Sequence, residues 1–184
     1  FFLNKISILL FYFTTLHFVS QCHIIAINTH IILKRRDIMH IHNAIYNTIH
    51  KDGISLSRAS GIADFLLLYI KTPTLLQVYE NTYTITDPSV VIISGYTPYK
   101  YLSVTKPYCD DYIHFLPRNT DGFLKELHFP LNQPIKINNH HLIDPIIQAI
   151  CREYYEATEY VLDIQYHQMM LLMARIGESW SAEH

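Results

Sequence analysis

"KPYCDDYIHF", Lys106–Phe115, sets two adjacent acids directly before an aromatic, apolar run. Side chains alternate across a strand, so Asp110, Tyr112 and His114 share one face while Asp111, Ile113 and Phe115 share the other. An apolar, aromatic run entered through two adjacent acids, just after a Lys106–Pro107 turn, reads as a strand with one face in a core.

The neighbouring segments fit the same scheme. "DFLLLYI" (Asp64–Ile70) is continuously apolar, as in a strand buried on both faces, and Thr72–Pro73 ends it. "LLQVY" and "TYTIT" flank Glu80–Asn81 and read as a hairpin, with Asn81 tolerating the turn conformation. Asp87–Pro88 turns the chain into "SVVIISG", "YKYLSV" alternates before the opening stretch, and "PIKI" (Pro134–Ile137) adds a short last strand. Strands at this spacing predict an antiparallel barrel or sandwich.

After residue 138 the period changes from two to 3.6. Asp144 and Pro145 suit the N-cap and first position of a helix carrying Ile143, Ile147, Ile150 and Tyr154 on one face. A second helix carries Leu162, Gln165, Met169, Leu172 and Ile176 and is expected to stop at Gly177. The expected class is therefore mainly β with a C-terminal two-helix hairpin. That hairpin either packs on the strands or presents a stripe to another subunit.

Composition narrows the function. The 184 residues suit one domain, and a formal net charge of −2 with 16% charged residues offers no basic field for nucleic acid. Three scattered cysteines, Cys22, Cys109 and Cys151, fit free thiols in a reducing, cytoplasmic compartment. Twelve histidines show no ligand spacing. His140 and His141 are adjacent, and His40-x-His42 lacks a carboxylate at a fitting distance, so no metal or other cofactor is expected.

The first 38 residues differ from the rest. "ISILLFYFTTLHFV" (Ile6–Val19) has the length of a signal-peptide apolar region, shorter than a spanning helix. Against a signal or anchor stand the initial Phe1, a second Ile-rich run and the absence of a small-x-small cleavage pattern. Lys34-Arg35-Arg36, back-translated with A-rich codons, spells a ribosome-binding purine run just before Met39. The expectation is a translated leader over 1–38, a polar movable arm over 39–57, a barrel over 58–138, the helical hairpin over 139–178 and a linker stub over 179–184.

Read as residues alone, the acids admit two accounts: a solvated strand entrance capping a turn, or carboxylates accepting ligand hydroxyls beside the ring of Tyr112. Neighbours on one strand point apart, which disfavours a paired-carboxylate glycosidase. Tyr99 and Tyr101 share a face and are either half-buried packing or part of an aromatic pocket. Arg58 is either a loop charge or a ligand contact.

The order of "DFLLLYIKTP", "YTITDPSVVII", "TPYKY" and "PYCDDYIHF" resembles the ligand-sensing half of AraC-type bacterial transcription regulators over about residues 55–177. That resemblance implies a cupin-like double-stranded barrel holding a small effector, often a sugar. It also implies homodimerisation through the helix pair, DNA contact only through helix-turn-helix modules beyond this chain, and no membrane. On it, the ligand-binding positions are Arg58, Tyr99, Tyr101, Asp110 and Tyr112, with Asp111 pointing outward to a basic group or a turn. Arg58 lies three residues before Gly61, where arabinose-type members carry a sugar-contacting arginine. Tyr112 replaces the usual Trp, Ser94-Gly95-Tyr96 replaces Pro-Pro-Gly, and Tyr99 replaces a His that a metal cupin would use. No catalytic residues are expected. The other classes kept open are a cupin-fold isomerase or dioxygenase and a secreted or membrane-tethered binding protein.

Overall fold

The computed structural model describes residues 39–156 and 159–184, so the readings made for residues 1–38 lie outside the described residues. Eight strands come first: β1 Met39–His50, β2 Ser55–Arg58, β3 Phe65–Ile70, β4 Thr74–Val78, β5 Asn81–Ile85, β6 Ser89–Ile93, β7 Tyr99–Ser103 and β8 Tyr108–Pro117. Then follow α1 Thr120–Glu126, β9 Ile135–Lys136, α2 His140–Glu156 and α3 Val161–Ser181.

The strands pair β1 with β8, β2 with β7, β3 with β6 and β4 with β5, all antiparallel. This is one long hairpin with nested rungs. Folding it over brings β3 against β8 and β4 against β7, which closes two sheets of order β1-β8-β3-β6-β9 and β2-β7-β4-β5. A double-sheet jelly roll results. The expected class, mainly β with helices at the C-terminal end, is what the chain adopts.

Strand β3 shows why the order of layers is fixed. All six of its residues are buried. Leu66, Leu68 and Ile70 join Leu76, Val78, Tyr99 and Tyr101 in the core between the sheets. Phe65, Leu67 and Tyr69 join Ile143, Ile147, Ile150, Met169, Leu172 and Ile176 in the core under the helices. Each full burial of a Leu or Ile contributes about 1.5–3 kcal/mol, so a one-residue slip, which would swap the two sets, is strongly disfavoured.

Several local expectations are corrected. The segment expected as a movable arm is, over residues 39–50, the longest strand of the sheet, and Met39, Ile41 and Ala44 are buried. Its pairing with β8 shifts between Ile41 and Asn43 and again between Ile45 and Thr48. Those bulges break the period of two, which is why the strand was illegible. The hairpin turn is Tyr79–Glu80, with Tyr79 rather than Asn81 at positive φ (52°). Its amide is held by the Pro98 carbonyl at 3.0 Å.

Helix α2 starts at His140, not at Asp144, so Pro145 lies inside it and Asp144 turns to Lys71 instead of capping. Helix α3 runs through Gly177 to Ser181 because Ile176 and Ser179 are buried and Trp180 packs against the same core, outweighing one glycine's cost. Leu162, expected on its buried face, is exposed. Helix α1, unforeseen, is capped by Asn119, whose side-chain oxygen accepts from the Gly122 amide at 3.0 Å. Among the described residues no helix is long and apolar enough to cross a membrane.

Candidate functional site

Between the two sheets the inward faces do not fill the space, and a cavity of about 350 Å³ remains. From β8 it receives Asp110, Tyr112 and His114, the face that alternation had grouped. From β7 come Tyr99 and Tyr101, and from β2 comes Arg58. All five residues singled out from the sequence therefore border one cavity. Leu66 and Leu68 of β3 form an apolar wall.

Three further lining residues, Asn43, Thr48 and His50, come from β1 and were missed with that strand. Tyr108 was missed too, although it stands two residues before Asp110 and so shares its face. It is fully buried, and its hydroxyl donates to Asp110 Oδ2 at 3.0 Å.

Asp110 is 1% exposed, and its other oxygen, Oδ1, has no hydrogen-bond partner among the described residues. Its register partner on β1, Thr48, also has a buried side-chain oxygen with no partner among them. Burial pushes the Asp110 carboxyl up to about 6, against the pull of the Tyr108 hydroxyl and His50. At neutral pH the group is mostly an anion in a place that disfavours one. That is an acceptor held ready.

The tyrosines are arranged as a wall. The rings of Tyr99 and Tyr101 stack with centroids 6.4 Å apart and an angle of 5° between planes. Tyr112, partly buried, meets His114 edge-on at 5.6 Å. Burial raises the pKa of Tyr99 and of Tyr101 above the ordinary tyrosine value, so both offer neutral hydroxyls. Burial also pushes His114 below the ordinary histidine value, leaving a neutral ring at physiological pH.

Arg58 is exposed, whereas Asp110 is deep, so the cavity runs from a basic rim to an acidic floor. The turn after Arg58 is fixed by the Gly61 amide, which donates to the Arg58 carbonyl at 3.1 Å. Gly61 has φ +67°, and a Cβ there would stand 2.5–2.6 Å from the backbone of Tyr96 and Thr97. Only glycine fits that approach.

Asp111 faces the opposite way. Its carboxylate meets Lys71 Nζ at 2.8 Å and accepts from the Asn47 amide at 2.6 Å. Lys71 also reaches Asp144 of α2 at 3.2 Å and lies 4.6 Å above the Tyr46 ring. Burial alone would lower the Lys71 pKa, but the two carboxylates outweigh it and raise the value. Asn47 has positive φ (57°) within the second bulge of β1, so Asp111 pins the bulge, the sheet and the helix together.

His40 and His42 bring their rings within 4.5 Å, yet among the described residues no three histidine, cysteine or acidic groups converge to hold a metal ion. No family model matches the chain, and no curated protein matches it. Among solved structures it is similar to the unsaturated-fatty-acid-bound wild-type ToxT from Vibrio cholerae strain SCE256. The identity is 13% and the TM-score 0.37, over 79% of this chain and 53% of that one. The chain thus spans about half the length of that protein.

Proposed function

We propose that residues 39–184 form the effector-binding module of an AraC-type transcription regulator, with a small sugar-like molecule held between the sheets. The observation that carries this reading is Asp110: a buried carboxylate with one oxygen unpartnered among the described residues, lining a cavity walled by tyrosines. Desolvating an acid and leaving half of it unsatisfied costs stability, and folds retain such groups where a ligand completes them. The convergence of Arg58, Tyr99, Tyr101 and Tyr112 on the same cavity supports the placement that the sequence resemblance implied.

The role is binding rather than catalysis. A polyol would donate hydroxyls to Asp110, lay an apolar ring face on Tyr112 and accept from Arg58 at the rim. In the full regulator the helix pair would serve as the dimer surface and relay occupancy to a DNA-binding half; the bound state must differ in contacts from the free one for that to work.

A thermal-shift screen of small metabolites, sugars foremost and with an unsaturated fatty acid as a comparison arm, tests the reading. A hit whose affinity drops in both Tyr112→Ala and Arg58→Ala, with the apo melt nearly unmoved, supports it. Affinity unchanged in both variants puts the site elsewhere.

A further inference from the structure

Resting on that reading of the cavity, the charge pattern around its floor specifies the guest further. Asp110 and Thr48 are register partners across the β1–β8 ladder, so their Cβ atoms stand about 4.5–5.5 Å apart. Each has a buried oxygen with no partner among the described residues, Asp110 Oδ1 and Thr48 Oγ1. Two acceptors one rung apart match a single group with several donors.

The charge of Asp110 is not matched either. Lys71, on the other face, is shared between Asp111 and Asp144, two carboxylates to one cation. Among the described residues His50 and Arg58 border the cavity, but neither forms an ion pair with Asp110, whose one hydrogen-bond partner is the neutral Tyr108 hydroxyl. A hydroxyl from a neutral sugar would satisfy one lone pair and leave the buried charge. A primary ammonium supplies the compensating charge and up to three donors at once. The rings of Tyr101 and Tyr112, which border the same cavity, suit a cation as well.

We propose that the floor of the cavity is an ammonium subsite, built from Asp110 Oδ1 and Thr48 Oγ1, and that the effector is an amine-bearing hydroxylated compound of the amino-sugar type. The amine enters first and the hydroxylated remainder lies along the tyrosines toward Arg58.

The test pairs each amine with its hydroxyl counterpart: ethanolamine with ethylene glycol, glucosamine with glucose, galactosamine with galactose. Binding is measured by calorimetry at pH 7.5 on the full chain. The proposal expects at least one amine to bind tenfold or more tightly than its counterpart. That preference should vanish in Asp110→Asn and shrink several-fold in Thr48→Val. Should Asp110→Asn not fold, the carboxyl carbon resonance of Asp110 in the wild type serves instead, moving with the amine and not with the alcohol.

No amine exceeding its counterpart, or a preference that survives Asp110→Asn with an unmoved Asp110 resonance, overturns the proposal. If the alcohols bind and respond to Tyr112→Ala while the amines gain nothing, the ammonium subsite falls and the sensor reading stands. If none of the six binds, the subsite falls, and Tyr112→Ala acting on another screen hit decides the sensor reading separately.

Discussion

Asp110 and Asp111 are consecutive residues on one strand, and both are almost wholly buried, at 1% and 0% exposure. Their surroundings differ in kind. Asp111 has a lysine at 2.8 Å and a backbone amide at 2.6 Å. Among the described residues Asp110 has one neutral hydroxyl at 3.0 Å and no partner for its other oxygen. The satisfied acid is part of the scaffold, joining β1, β8 and α2 through Lys71 and Asn47. The unsatisfied acid weakens the scaffold and faces a cavity. Burial alone would have classed the two together; the partner inventory separates them.

Substitution should separate them further, with opposite signs. The largest effect belongs to Asp111→Ala, which strands Lys71 beside the partly exposed Asp144 and frees the Asn47 amide. Removing one member of a buried pair costs about 3–5 kcal/mol, read as a lower denaturant midpoint with an unchanged slope. A loss near zero would mean that the bulge holds itself.

Asp110→Asn should move the apo protein the other way. The folded carboxyl titrates at about 6, above its ordinary 3.8, so between those values the folded state holds a proton that the unfolded state has lost. Stability therefore falls as pH rises through this window, and the full penalty, up to about 3 kcal/mol, applies above it. Asparagine removes that penalty. The variant should melt higher than wild type at pH 8 and alike below pH 4, while losing effector affinity. A variant that melts lower at pH 8 would show that the carboxylate contributes to the fold.

Tyr112→Ala comes next, at roughly three- to tenfold weaker binding of the best screen hit, the range of one aromatic contact. Its ring is only partly buried, so the apo melt should hardly move. Arg58→Ala should be the smallest, about two- to fivefold, because an exposed guanidinium is screened by water. Calorimetry on both variants ranks them, and a reversed ranking would place the binding determinant at the rim rather than on the wall.

The two faces of β8 were legible from alternation alone, since no bulge interrupts Asp110 to Phe115 in its pairing with β3. The continuous apolar run of β3 announced burial on both sides. Strand β1 was not legible because its two bulges place Ile41 and Ala44, three residues apart, on the same buried side. With β1 went Thr48 and His50, and so the floor of the cavity. The partner of Asp111 was foreseen only as some basic group; Lys71 is distant in sequence, and the register of β3 against β8 brings it there. Helix boundaries slipped because Asp144 and Gly177 carry local capping signals that tertiary partners override.

Arg58 stands at the end of β2. That strand is four residues long and pairs on one side only, with β7, whereas Asp110 lies in β8 between β1 and β3. The amides around Asp110 should therefore be among the slowest in the chain to exchange with deuterium, and those of Ser55–Arg58 among the quickest. On the proposed reading, an effector would enter past the edge that yields and meet the far wall as a fixed reference.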